Sequence, residues 1–274
     1  MVPSEDQELL LGRHTPVLHE YSPHILYPIS RRVARQDLGL TQTLPFHGVD
    51  LWHAYELSWL DESGKPVVRV GRFSVPATSP NIVESKSFKL YLNSLNNCQF
   101  VCDDDARNTI TSDISAAAEA DVSLTLYAVD DSALAGATLQ GECLDECPVG
   151  PRSGGPDAGQ LEVHPDNIVE EMLYSHLLRS LCPVTGQPDW ATVWVHYRGA
   201  AIEHSSLLEY VVAYREHQDF HEQCLERMFC DISMRSGVDF LHMQAFYTRR
   251  GGLDISPFRS THGHGEALPR LNRQ

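Results

Sequence analysis

No run of eighteen consecutive apolar residues occurs in this 274-residue chain, so no membrane-spanning helix is expected. Basic charge is scarce: 21 Lys and Arg stand against 37 Asp and Glu, for a formal net charge of -16. A protein that grips a phosphate backbone needs the opposite balance, so direct nucleic-acid binding is not expected. The opening residues, MVPSEDQELLLG, lack the basic stretch and apolar core of a secretory signal, which makes the cytoplasm the expected compartment. The cysteines number seven, an odd count that argues against a disulfide framework. Cys98/Cys102 and Cys143/Cys147 share a C-x3-C spacing, and four such thiolates would suit zinc. Neither pair has the tight C-x2-C turn of a zinc knuckle, so free thiols and no metal site are the expectation.

What is present reads as a soluble globular protein, with 42% hydrophobic and 21% charged residues. Residues 1–45 are polar and Pro-containing, an N-terminal arm expected to run extended over the surface. From 46 to 130 the pattern runs strand (HAYELSWL), turn (DESGKP), strand (VVRVGRFSVP, alternating), helix (SFKLYLNSLNN), helix (ARNTITSDISAAAEA) and strand (VSLTLYAV). Residues 131–165 are rich in Gly, Pro, Asp and Cys and read as a linker or insertion. From 166 to 274 the order returns: EEMLYSHLLRS and TVWVHYRG as strands, SSLLEYVVAYREH and FHEQCLERMFCDISM as helices, FLHMQAFYTRR as a strand. Two β-β-α-α modules in tandem are therefore expected, in an α+β fold whose antiparallel sheet carries helices on one face. A bare second face would call for a partner surface, either the other half or another subunit.

Four clusters could carry chemistry, and each has a bland alternative. In SLCPVTGQPDW, Cys182 offers a nucleophile and Asp189 a proton donor, with Trp190 as an apolar wall and Pro183, Gly186 and Pro188 stiffening the loop. The alternative is a buried cysteine beside a turn aspartate. ESKSFK (Glu84 to Lys89) gathers a carboxylate, a hydroxyl and two lysines at a helix start, a place that attracts anions; it also suits an ordinary capped helix. In DFHEQC, Glu222 can accept two parallel hydrogen bonds from a guanine-like edge, and His221 can donate or assist proton movement. An acidic first helical turn explains the same letters. In YTRRGG, Arg249 and Arg250 precede two glycines that would let backbone approach a phosphate, or simply turn a strand.

Taken together, IVESKSFKLYLNS, LCPVTGQPDW, HYRG, FHEQC and YTRRGGLDISP resemble the QueF family of NADPH-dependent nitrile reductases, in its longer two-module form. The resemblance runs from about Pro45 to Ser260 and breaks at 131–165. It implies a tunnelling fold and reduction of 7-cyano-7-deazaguanine to the 7-aminomethyl base, a step toward queuosine in tRNA. It implies NADPH as cofactor, Cys182 as nucleophile and Asp189 as acid. Glu222 and His221 would hold the base, and Val83, Glu84 and Ser85 would line the substrate. Ser85 and Lys86 would meet NADPH, with Arg250 and Gly251 at its far end. A homodimer or larger homo-oligomer is the expected assembly. Three rivals remain open: a cysteine-dependent nitrile or amide hydrolase, zinc-dependent pterin chemistry on the same fold, and a non-catalytic purine- or pterin-binding protein.

Overall fold

The computed structural model describes residues 20–41, 43–150 and 154–274. Residues 1–19 and 42 of the expected N-terminal arm, and residues 151–153 of the 131–165 segment, lie outside that range. In chain order the elements are β1 (Pro28–Ser30), α1 (Arg32–Asp37), β2 (His47–Leu60), β3 (Pro66–Pro76), β4 (Asn81–Val83), α2 (Ser85–Ser94), α3 (Asp103–Ala118), β5 (Ser123–Tyr127) and β6 (Glu142–Cys143). They continue with β7 (Val163–Ser175), β8 (Arg179–Leu181), β9 (Pro188–Ile202), α4 (His204–Ala213), α5 (His221–Ser236), β10 (Phe240–Tyr247) and β11 (Leu253–Ser260). The fold is a mixed α+β one. Among the described residues no helix is long and apolar enough to cross a membrane.

The chain divides into two compact units. One holds the residues up to Val33 with Leu51–Ala135 and Arg249–Asp254; the other holds Ala34–Asp50, Gly136–Thr248 and Ile255–Gln274. In the first unit the strand order is β5-β3-β2, with β5 antiparallel to β3. Alternation in the later part of VVRVGRFSVP buries Phe73 and Val75, and Val70, of the opposite parity, is buried as well. Phe88 of α2 stands edge-on to Phe73 with centroids 4.9 Å apart, and it tilts against Trp52 at 5.2 Å. In α3 the buried residues are Ala106, Ile110, Ile114 and Ala118, a four-residue spacing that lays one stripe along the helix. Asp103, Asp104 and Asp105 occupy its first turn, where the helix dipole favours negative charge.

In the second unit the order is β11-β10-β9-β7-β6, with β8 paired to β9. β9 is buried along nearly its whole length, as a central strand requires. Met228, Phe229 and Ile232 of α5 supply apolar cover, and α5 ends at Gly237, whose φ of 57° suits the left-handed C-terminal position.

Three features differ from the sequence expectation. Residues 20–45 are not a plain extended arm. They contain β1, antiparallel to β4, and α1, whose Arg35 is buried. The sheet is not wholly antiparallel either, because β6 runs parallel to β7 inside the 131–165 segment. Finally, β11 adds a strand that the 166–274 reading did not include; all eight of its residues are buried, Asp254 and Arg259 included. Arg259 hides by pairing: its guanidinium donates to Asp50 Oδ1 at 2.7 Å and to Glu226 Oε1 at 2.8 Å. Burial alone would lower its pKa, but the two carboxylates outweigh that and raise it.

Candidate active site

The SLCPVTGQPDW segment is a β-hairpin. Arg179, Ser180 and Leu181 of β8 face Trp190, Asp189 and Pro188 of β9. The turn is closed by two backbone bonds, Cys182 N–H to Gln187 O and Gly186 N–H to Cys182 O, both 2.9 Å. Gly186 sits at φ 67°, a conformation that glycine adopts without strain. Register now answers what spacing left open. Ser180 lies opposite Asp189, and Cys182 is two residues further along, so Cys182 and Asp189 belong to the same face of the hairpin. Diagonal neighbours of this kind have backbones roughly 7–8 Å apart, room for one small substrate group between the side chains. Both are 6% exposed.

The start of α5 completes this site. Leu181 N–H donates to His217 O and Asp219 N–H donates to Leu181 O, which pins the end of β8 beside the segment leading into α5. His221, the first residue of α5, places Nε2 3.3 Å from Asp189 Oδ2. Its ring stacks on Tyr247 at 3.9 Å between centroids. Glu222 follows in the first helical turn, 2% exposed, where the helix dipole favours its charge. Cys182, Asp189, His221 and Glu222 are thus collected in one unit.

Behind them sit Ser180, Cys224 and Tyr247, all at 1% exposure or less. Burial, with the charge of Asp219 adding to it, pushes the Cys224 thiol far above its ordinary range. That direction favours the neutral thiol at Cys224. The sequence reading missed Tyr247 and Ser180. The signal for Ser180 was its position two residues before Cys182 on a strand.

The other candidates lie in the first unit. Glu84 is buried at 1% and caps α2: its Oε1 accepts from Lys86 N–H and its Oε2 from Ser87 N–H, each at 2.7 Å. Burial raises the Glu84 pKa, and the two backbone donors pull the other way. Val83 ends β4 and is buried, while Ser85 and Lys86 are half-buried in the first turn of α2. The segment is held from behind, since Glu84 N–H donates to Tyr27 O and Tyr27 N–H to Ser87 Oγ.

In YTRRGG the chain reverses between Arg250 and Leu253, which exchange backbone hydrogen bonds. Gly251 and Gly252 have φ of 58° and 79°, the two positive angles of a tight two-residue hairpin turn. A Cβ on Gly251 would come within 2.7 Å of Lys89 Nζ. The turn and Lys89 border a cleft of about 90 Å³ with Glu56, Asn93 and Asn96. Arg249 stacks its guanidinium 3.7 Å above the Tyr55 ring, whose hydroxyl donates to Asp254; His53 Nδ1 meets the other oxygen of that carboxylate at 2.9 Å. Arg249 and Arg250 are both exposed; Arg249 packs on Tyr55, and Arg250 opens the glycine turn.

Residues 18–126 match the family model described as "Nitrile reductase, 7-cyano-7-deazaguanine-reductase N-term". Residues 188–266 match the model described as "QueF-like protein". A protein of Chromohalobacter salexigens named NADPH-dependent 7-cyano-7-deazaguanine reductase is 50% identical over 266 residues, 96% of this chain and 96% of its own. The protein of that name from Dechloromonas aromatica is 52% identical over 253 residues, 92% of this chain and 89% of its own. The chain belongs to the QueF family. The two QueF models fall on either side of residues 127–187, which carry the variable segment and Cys182 itself. The whole-length relatives bridge that gap, since their alignments cover nearly all of this chain.

Proposed function

We propose that this protein reduces the nitrile of 7-cyano-7-deazaguanine to the 7-aminomethyl base with NADPH, in the route to queuosine. The observation that carries the reading is the hairpin that puts Cys182 and Asp189 on one face beside His221 and Glu222. It stands in a chain half identical, over most of its length, to proteins of that name.

The residues give each step a physical cause. Glu222 accepts the ring N–H and exocyclic NH₂ of the base as two parallel charge-assisted bonds. His221, held by Tyr247 stacking and by Asp189, orients the base and the acid together. A nitrile carbon accepts hydride poorly, so covalent catalysis divides the step. The Cys182 sulfur bonds to the nitrile carbon while Asp189 gives a proton to the nitrogen, and the product is a thioimide. NADPH, when bound, supplies hydride, once to the thioimide and once to the imine left when the sulfur departs. Nitrile to amine takes four electrons, hence two NADPH per turnover. The near-complete burial of Cys182 and Asp189 keeps water from the imine, which otherwise hydrolyses to an aldehyde.

The first unit's features suit the cofactor. A glycine pair at positive φ permits close backbone approach, and Arg250, Lys86 and Lys89 bring positive charge suited to phosphates. Ser85 is assigned to substrate and cofactor alike, and Val83 and Glu84 to the substrate side. Glu84 acts there by fixing the first turn of α2. We further infer that the tandem modules form a tunnelling fold, that the enzyme works as a homo-oligomer in the cytoplasm, and that it acts on the free base without direct contact to nucleic acid.

The test is mass spectrometry of the protein mixed with 7-cyano-7-deazaguanine and no NADPH. The chain should gain the whole mass of the base, on the Cys182 peptide, and Cys182→Ala should gain nothing. An unmodified wild-type chain under saturating base would overturn the covalent mechanism. Hydrolysis of the nitrile in the same tube would move the assignment to the rival hydrolase.

A further inference from the structure

The Cys143/Cys147 pair belongs to the 131–165 segment and has no part in the chemistry above. The first of its cysteines has company that the sequence spacing did not reveal. Ligand atoms of Cys143, Asp145 and His176 all lie within 4.8 Å of one another. The cause is the parallel pairing of β6 with β7. Glu142 is opposite Leu173 and Cys143 opposite Tyr174, so two residues on Asp145 comes level with His176. Asp145 lies in the turn that follows β6, where Ser175 Oγ and His176 N–H hold its carboxylate beside the end of β7.

The seating of this segment is built rather than incidental. Gly141 has φ 116°, and a Cβ there would fall 2.3 Å from the Met172 carbonyl, so β6 approaches β7 as only glycine allows. Leu144 is buried and its N–H donates to Tyr174 O. Trp194 Nε1 donates to Gln140 O at the start of the same stretch.

The donor groups are also held from behind. Asp145 Oδ1 accepts from Ser175 Oγ at 2.7 Å and from His176 N–H at 3.1 Å. His176 Nδ1 is 2.8 Å from Thr192 Oγ1, a buried hydroxyl on β9, which leaves Nε2 as the ring nitrogen open to an ion. Supporting bonds of this kind orient metal ligands and fix the imidazole tautomer.

We propose that Cys143, Asp145 and His176 form a binding site for a zinc-class divalent ion, which staples the 131–165 segment to β7. A thiolate, an imidazole and a carboxylate suit zinc, and the sulfur and nitrogen disfavour magnesium and calcium. Tetrahedral zinc with bonds of about 2.0–2.3 Å holds its ligands about 3.5 Å apart. Side chains already within 4.8 Å need only a small closure to reach that geometry. Water takes the fourth position. The site does no redox work and lies outside the Cys182 hairpin. Binding expels the thiol proton, so occupancy falls with falling pH.

The test uses the full chain, freed of metal, loaded with zinc, dialysed and assayed by elemental analysis. The wild type should retain about one zinc per chain. Cys143→Ser and His176→Gln should each retain at least tenfold less, and Cys102→Ser should retain as much as the wild type. Cobalt(II) should give a thiolate charge-transfer band in the wild type that Cys143→Ser lacks. A readout free of any folding defect in the variants is alkylation of the wild type: zinc should protect Cys143 while exposed Cys102 stays reactive. Both variants should keep NADPH oxidation. A wild type that keeps no zinc would overturn the proposal. So would equal zinc in Cys143→Ser, or Cys143 alkylated as fast with zinc as without.

Discussion

Glu226→Gln is the sharpest test of how the second unit holds itself together. Four charged side chains meet in its interior. Arg259 is fully buried and donates to Asp50 and Glu226, while Arg35 donates to both oxygens of Glu226, at 2.7 and 2.9 Å. Two guanidinium groups and two carboxylates sum to zero. The glutamine keeps the shape and an acceptor oxygen but removes one negative charge, leaving the buried group at +1. Breaking one partner out of such a set costs about 3–5 kcal/mol, because the remaining charge is desolvated without compensation. For a chain of this size that corresponds to a loss of about 6–20 °C in melting temperature. Thermal and urea unfolding at neutral pH, followed by circular dichroism, read it out. Glu226→Gln with Arg35→Met restores neutrality around Arg259 and should recover part of the loss. A fall under about 1 kcal/mol in the single variant, or a double variant worse than the sum of the two singles, would refute the reasoning.

Three further outcomes are expected. Asp189→Asn should fold normally and lose about 10²–10⁴-fold in kcat, the usual share of a proton donor, as steady-state NADPH oxidation will show. Gly251→Ala places a side chain at φ 58°, worth about 1–2 kcal/mol of backbone strain, and pushes on Lys89; KM for NADPH should rise while calorimetric binding of the base is unchanged. Glu84 has its pKa raised by burial, so the folded state binds its proton more tightly than the unfolded state does. Its contribution to stability is therefore greatest in acid and is lost as pH rises from the unfolded value of about 4.3 through the raised folded one. The stability of the wild type relative to Glu84→Gln should decline across that window in urea titrations, and a difference that grew with pH would contradict the assignment.

Periodicity made the long elements legible. The four-residue stripe of α3 states its burial directly, and the alternation of VVRVGRFSVP does so over its later part, from Gly71 to Val75. What stayed hidden depends on remote partners. β4 has three residues and exists through pairing with β1, more than fifty residues earlier. β11 has no place in the element order read from sequence, and the burial of its Asp254 and Arg259 makes sense only once His53, Asp50 and Glu226 are seen against them. In the candidate site the letters of Cys182, Asp189, His221 and Glu222 were plain. The shared face of the first two was not, since a one-residue slip in the β8–β9 register would have turned them apart. Asp145 and His176 escaped notice for the same reason: only the parallel register of β6 on β7 brings them level.

The central claim is that Cys182 and Asp189 activate a nitrile for reduction by NADPH. Its most direct test is the loss of NADPH absorbance with 7-cyano-7-deazaguanine as the only other substrate, measured together with the amine formed. The account predicts two NADPH oxidised per amine and none in Cys182→Ala. NADPH left untouched by the wild type, or normal turnover in Cys182→Ala, would contradict it.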